Sequence, residues 1–218
     1  MPLDVGTGAE TARRGGDVRF AALIGEAGWR ALSVNVRRRF SRLAGDGETV
    51  VYEGRVVEMH HTRLGAALAA AARAVGGMLP LPGPAGARAV VIVSEDRAAA
   101  GQIWTRVYAR PGRFPQTVNS VKQFRGPTGL LERLGFGLHM YLDVSVEDGS
   151  LVFRSRGYGL GVGRFMVRVP RVLLPIDCEV RHEPVGETTF DFVLSVFIPV
   201  VGTLIHQRCR FADPPPRG

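Results

Sequence analysis

The sequence predicts a mainly β domain of the α+β class: a large curved antiparallel sheet or barrel packed on one or two N-terminal helices. Three observations lead there. From Arg88 onward, apolar and polar residues alternate with the period of a strand. Turn signals separate these runs at intervals of about ten residues. No helical segment alternates with the strands, as a parallel sheet would require.

The elements follow in order. Residues 1–17 are rich in Gly and charge and are expected to be a flexible N-terminus. A single β-rich domain is expected over 18–212, followed by a flexible C-terminus at 213–218. Between Phe20 and Leu43 the apolar residues keep helical spacing, with Asp17 placed to cap the start. Gly25 and Gly28 weaken the first half, so two shorter helices can replace one. "TVVYEGRVVEM" reads as a strand, and "RLGAALAAAARAVGG" as the clearest helix, closed by Gly76 and Gly77. "LPLPGPAGA" is a loop. The remaining strands are "ARAVVIVSE", "QIWTRVYAR", "QTVNSVKQFR", "LHMYLDVSVED", "LVFRSRGYG", "FMVRVP", "CEVRHEP", "TFDFVLSVFI" and "TLIHQRCRF". Asp148-Gly149 signals a tight hairpin. "FDFVLSVFI" is apolar on both faces and reads as a central strand, with Phe190, Phe192, Leu194 and Val196 in the core.

Charge and motifs exclude more than they include. The chain has 218 residues and a net charge of +8. Lys122 is its one lysine, and the arginines are scattered, so the charge reads as a solvated surface and no nucleic-acid partner is expected. No apolar run reaches the roughly 18 to 20 residues of a transmembrane span, and no secretory signal is visible, so a cytoplasmic location is expected. Cys178 and Cys209 read as reduced core residues. "GYGLGVGRF" carries Gly157, Gly159, Gly161 and Gly163 at alternate positions, without the strand–helix context of a dinucleotide site, and is read as a kink or close backbone approach. The histidines show no recognised metal spacing. No metal and no cofactor is expected.

One strand raises the functional question. "QIWTRVYAR" puts Trp104, Arg106 and Tyr108 on one face, and Ile103, Thr105 and Val107 on the other. Either the mixed face is an ordinary solvent face, or it lines a cavity in which Trp104 stacks on a ring and Arg106 meets an acidic or carbonyl group. His139, Tyr141, Asp143 and Ser145 share a similar face. So do Val152, Arg154, Arg156 and Tyr158, and likewise His206, Arg208 and Arg210.

The segments "FAALIGEAGWRALSVNVRR", Trp104-x-Arg106-x-Tyr108, "GLLERLG" with Glu132, "VPRVLLP", and "FDF" followed by Pro199 and Gly202 together resemble a bacterial domain-of-unknown-function family, number 4166. Gln207 and Cys209 stand where that pattern carries a tyrosine and a glycine. The resemblance implies a single β-rich domain with no assigned activity. It also implies association with saccharopine-dehydrogenase-like reductases, hence a reductase partner and lipid-like or terpenoid substrates.

Three functions are compatible with these readings. The first is a binding module whose cavity holds a hydrophobic or amphipathic small molecule (lipid-like, terpenoid or polycyclic), with Trp104, Arg106, Tyr108 and Tyr141 as ligand contacts. The second is a cavity enzyme of isomerase, cyclase or lyase type, using Glu132, His139 and His206 as acid–base groups. The third is a protein or membrane-surface interaction domain, docking through the basic helix at 30–42. The interior reading further pairs Arg106 with Glu132, because a buried arginine needs a counter-charge.

Overall fold

The computed structural model describes residues 17–42, 49–96, 101–162 and 165–214. Among them, eleven antiparallel strands follow or surround three helices. The helices are α1 (Arg19–Ala31), α2 (Val34–Phe40) and α3 (Arg63–Ala72). The strands are β1 (Thr49–His61), β2 (Arg88–Asp96), β3 (Gly101–Arg110), β4 (Arg113–Gln123), β5 (Leu130–Gly135), β6 (Leu138–Glu147), β7 (Ser150–Val162), β8 (Phe165–Val169), β9 (Asp177–Pro184), β10 (Thr189–Ile198) and β11 (Gly202–Ala212).

The sheet runs β6-β5-β4-β3-β2-β1-β11-β10-β9-β7, and β6 pairs with β7 to close a ten-stranded barrel. The eleventh strand, β8, pairs with the second half of β7, while β9 pairs with the first half. The barrel wall therefore splits along β7. A bulge marks the split: Leu142 pairs with Ser155 and Tyr141 with Gly157, leaving Arg156 as an extra residue. Gly157 takes φ +138, a conformation that suits glycine. The bulge also shifts the alternation by one residue. Tyr158 consequently turns into the barrel and does not share the outer face with Val152 and Arg154, as the uninterrupted pattern implied.

The helices close the two ends. α1 is bent at Gly25, where φ is +71, so the sequence expectation of two shorter pieces holds. α2 starts at Ser33, whose hydroxyl accepts from the Val36 N–H at 3.3 Å. These two helices cover the end where β11 finishes: Arg39 pairs with Asp213 at 3.1 Å and Asn35 donates to the Gly186 carbonyl at 2.8 Å. α3 covers the opposite end, where β1 finishes and β11 begins. Thr62 caps α3, and its own N–H donates to the Leu204 carbonyl at 2.9 Å.

Of the two terminal segments expected to be flexible, Asp17 and residues 213–214 are described. Residues 1–16 and 215–218 lie outside the described residues, as does Gly163. Asp17, assigned to the tail, is buried, and its carboxylate accepts from the Arg19 N–H at 2.9 Å. Asp213 is likewise held by Arg39. β5 was not anticipated as a strand, because its inward positions, Leu130, Glu132 and Leu134, include a carboxylate. The expected core face of β10 is buried throughout: Phe190, Phe192, Leu194 and Val196 all lie in the core.

Candidate functional site

β3 turns its mixed face inward. Trp104, Arg106 and Tyr108 point into the barrel, and the aliphatic positions Ile103, Thr105 and Val107 face outward, half-buried. The interior then divides into three layers along the barrel axis.

The layer next to α1 and α2 is aromatic and filled. Phe20 of α1 and Phe40 of α2 meet edge to face, with centroids 4.9 Å apart. Phe40 stacks on Trp104 at 6.4 Å and meets His182 edge-on at 4.9 Å. Trp104 donates its Nε1–H to Gln102 Oε1 at 3.3 Å, so its polar atom is also engaged. Trp104 is thus a core residue of the barrel plug, and its ring is covered by the chain itself.

The middle layer is charged. Lys122 Nζ lies 3.1 Å from Glu132 Oε1, and Arg106 Nη2 lies 3.5 Å from the same oxygen. Arg106 also donates to Ser120 Oγ at 2.9 Å. Lys122 sits over the plug, 5.0 Å from the Trp104 ring and 5.3 Å from that of Phe153, while the Arg106 guanidinium is 5.7 Å from the Phe192 ring. Burial pushes the Lys122 ammonium below its ordinary pKa, with Glu132 opposing and Arg106 reinforcing the shift. Burial alone would raise the Glu132 carboxyl, but Lys122 and Arg106 together outweigh it and hold the group below the usual carboxylate range. Two cations against one carboxylate leave this cluster with one surplus positive charge. Arg106 Nε and Gln207 Nε2 are buried without a hydrogen-bond acceptor among the described residues.

The third layer, beneath α3, is open. A cavity of about 350 Å³ lies between the inner faces of β5, β6, β7, β9 and β10, the helix α3, and the loop before β9. Its wall is apolar apart from Glu132, Tyr158 and Cys178; Leu134, Met140, Leu194 and Val196 are among the apolar residues that line it. Burial and the nearby Glu132 carboxylate push the Cys178 thiol up to about 12, and burial raises the Tyr158 phenol as well. Both groups are therefore neutral at physiological pH. Glu132 forms the cavity floor, with both cations behind it on the plug side.

The remaining nominated residues fall elsewhere. Tyr108 is interior and donates to Gln207 Oε1 at 3.1 Å, outside the cavity wall. Tyr141 lies on the outer face of β6 against the glycine stripe of β7: a Cβ on Gly159 would come within 2.5 Å of its hydroxyl. His139 shares that outer face, with Nδ1 2.7 Å from the Gly137 carbonyl oxygen. His206 is on the outer face of β11, 3.2 Å from Ser195 Oγ and 3.5 Å from Glu58. Glu132, His139 and His206 are thus not brought together. Of the residues nominated as acid–base groups or ligand contacts, Glu132 alone lines the cavity, and Arg106 supports it from behind. The basic helix is also partly consumed by the fold. Arg39 is buried over the Phe190 ring at 3.5 Å, and Arg38 binds Asp213 at 3.5 Å.

Sequence reasoning missed the apolar wall. Leu138, Met140 and Val196 read as ordinary strand positions, Leu134 falls in a segment not read as a strand, and the uninterrupted alternation puts Tyr158 with Val152, Arg154 and Arg156 on a mixed face. The glycine before Tyr158 was the available hint that the strand alternation breaks there.

A family model described as Domain of unknown function (DUF4166) matches residues 32–211, from Leu32 at the end of α1 to Phe211 in β11. No curated protein and no solved structure matches the chain.

Proposed function

We propose that this chain, which belongs to the DUF4166 family, is a binding module that holds a hydrophobic or amphipathic small molecule inside its barrel. The observation that carries the reading is the cavity of about 350 Å³, apolar around most of its wall and polar at its floor. This volume is within the roughly 300–1,000 Å³ of small-molecule sites, and such sites combine apolar lining with a few convergent polar groups. The contacts belong to Glu132, Tyr158 and the aliphatic wall, with Arg106 behind; Trp104 and Tyr108 act as scaffold.

Binding is favoured over acid–base catalysis by the electrostatics of Glu132. An effective general base has a pKa near the working pH, whereas this carboxylate is held ionised and weakly basic by two cations. The two histidines that would complete an acid–base set lie on the outward faces of β6 and β11, away from the cavity. A cytoplasmic setting and a reductase partner that supplies or consumes the ligand belong to the same proposal. Their support is the sequence resemblance and the two free thiols.

Native mass spectrometry of protein purified without detergent or organic solvent tests the reading. A discrete added mass of an apolar compound is expected, present in the wild type and lost in Val196→Trp, where the new ring occupies the cavity. Unliganded mass alone, persisting after incubation with a lipid extract of the expressing cells, would contradict it.

A further inference from the structure

We propose that the ligand is an apolar alcohol whose hydroxyl group sits on the cavity floor, donating to the Glu132 carboxylate and accepting from the Tyr158 phenol. This rests on the binding reading above and specifies its chemical class. What selects the ligand is the charge that the cavity meets. Arg106 and Lys122 outnumber Glu132, and on charge alone the cluster would draw an acid. Neither cation reaches the cavity wall, however: Lys122 is turned toward Trp104 and Phe153, and Arg106 toward Ser120 and Phe192. Of the three charged side chains, Glu132 is the one that lines the cavity. A fatty-acid headgroup would be set against that carboxylate, and both would be buried.

A neutral hydroxyl meets the floor on better terms. Its O–H is a donor that an ionised buried carboxylate binds strongly, because charge-assisted hydrogen bonds gain most where water is excluded. Its lone pairs accept from a phenol that burial keeps protonated. The two cations hold Glu132 ionised, so the acceptor is in place before the ligand arrives. An amine would suit the carboxylate, but it would bring a third positive charge into a buried cluster that already carries a surplus. The aliphatic wall accommodates the hydrocarbon body, whether chain or fused ring.

Competition between matched ligands tests this. Phenylnaphthylamine, a neutral fluorophore that brightens in apolar surroundings, is bound first and then displaced by decanol or by decanoate, each below its aggregation concentration. Decanol should displace it at about tenfold lower concentration than decanoate, the weight of one hydrogen bond to a charged acceptor. In Glu132→Gln the floor keeps both cations and loses the anion, so the order should invert, with decanoate the better competitor. If that variant does not fold, Glu132→Leu combined with Lys122→Met removes charge of both signs, and the preference for the alcohol should vanish. Decanoate equal to or better than decanol on the wild type overturns the alcohol assignment and leaves the binding reading standing. Failure of the fluorophore and of both competitors to bind overturns the binding reading, and this inference with it.

Discussion

Arg106 on β3 and Glu132 on β5 meet inside the barrel at 3.5 Å, although β4 runs between their strands. Their contact passes beside Lys122, the chain's single lysine, which β4 contributes to the same carboxylate oxygen. The barrel thus carries an ionic layer at mid-height, between an aromatic plug and an apolar cavity. Most of the expected behaviour of the protein follows from that layering.

The ionic layer makes Glu132 the least replaceable carboxylate. Glu132→Gln leaves two buried cations without a counter-charge and should destabilise the fold by about 3–5 kcal/mol. Glu187→Gln, at an exposed turn, should stay within about 0.5 kcal/mol of wild type. Lys122→Met should cost far less than Glu132→Gln, because Arg106 still neutralises Glu132. Urea unfolding of the three variants checks the ranking, and an equal loss for Lys122→Met and Glu132→Gln would show that the charges do not act as a cluster.

Trp104 should behave as a core residue. With Trp29→Phe as background, acrylamide should quench Trp104 far more slowly than free indole. Trp104→Ala should cost about 3–5 kcal/mol through the cavity it leaves in the plug. Because the plug and the ligand cavity lie on opposite sides of the ionic layer, phenylnaphthylamine affinity measured on the folded variant should be unchanged. A loss of affinity would mean that Trp104 touches the ligand.

How much of this arrangement was legible beforehand differs by element. Ten of the eleven described strands were legible: β10 as a run apolar on both faces, the others by alternation, because antiparallel strands with one wet face write a period of two into the sequence. β5 was not, since Glu132 occupies an inward position and breaks the apolar series. The inward orientation of Trp104 and Arg106 was readable as one of two options; the use of Trp104 was not. What consumes its ring is Phe40 from α2, a contact between residues 64 positions apart that leaves no local mark. The acid–base grouping failed for a related reason. His139 and His206 sit at the parity of outward residues in β6 and β11, whereas Glu132 sits at the inward parity of β5. The mixed face turns inward in β3 but outward in β6 and β11, and the alternation within one strand does not say which face meets the core.

His182 should set an acid limit on stability. It is fully buried among Phe40, Trp104, Phe153 and Phe192. Burial, aided by Arg39, Lys122 and Arg106, holds its pKa well below the ordinary value. The unfolded chain therefore takes up a proton on this residue first. Its contribution to stability is complete above the unfolded pKa of about 6.5 and falls as pH drops below it, by up to about 1.4 kcal/mol per pH unit. His182→Phe should remove that part of the slope between about pH 6.5 and pH 5. An unchanged slope would place the acid sensitivity on other groups.

Gly65 should reverse an ordinary helix preference. Within a helix, Gly→Ala normally stabilises by roughly 1 kcal/mol. Here a Cβ would lie 2.1 Å from the Leu204 carbonyl oxygen, so α3 would have to lift from the end of the barrel. Gly65→Ala should lower the melting temperature and, because α3 roofs the cavity, weaken phenylnaphthylamine binding. A stabilised protein with unchanged binding would show that α3 does not seat as described.

The central claim is that the space beneath α3 is a binding site. A fluorescence titration of phenylnaphthylamine against the wild type and Val196→Trp tests it most directly. Val196 is fully buried, and its side chain forms part of the cavity wall, so the larger ring should occupy space that is otherwise open while the fold is retained. Saturable, stoichiometric enhancement is expected with the wild type and none with a Val196→Trp protein that melts cooperatively. Equal enhancement by both proteins would place the fluorophore elsewhere and contradict the claim.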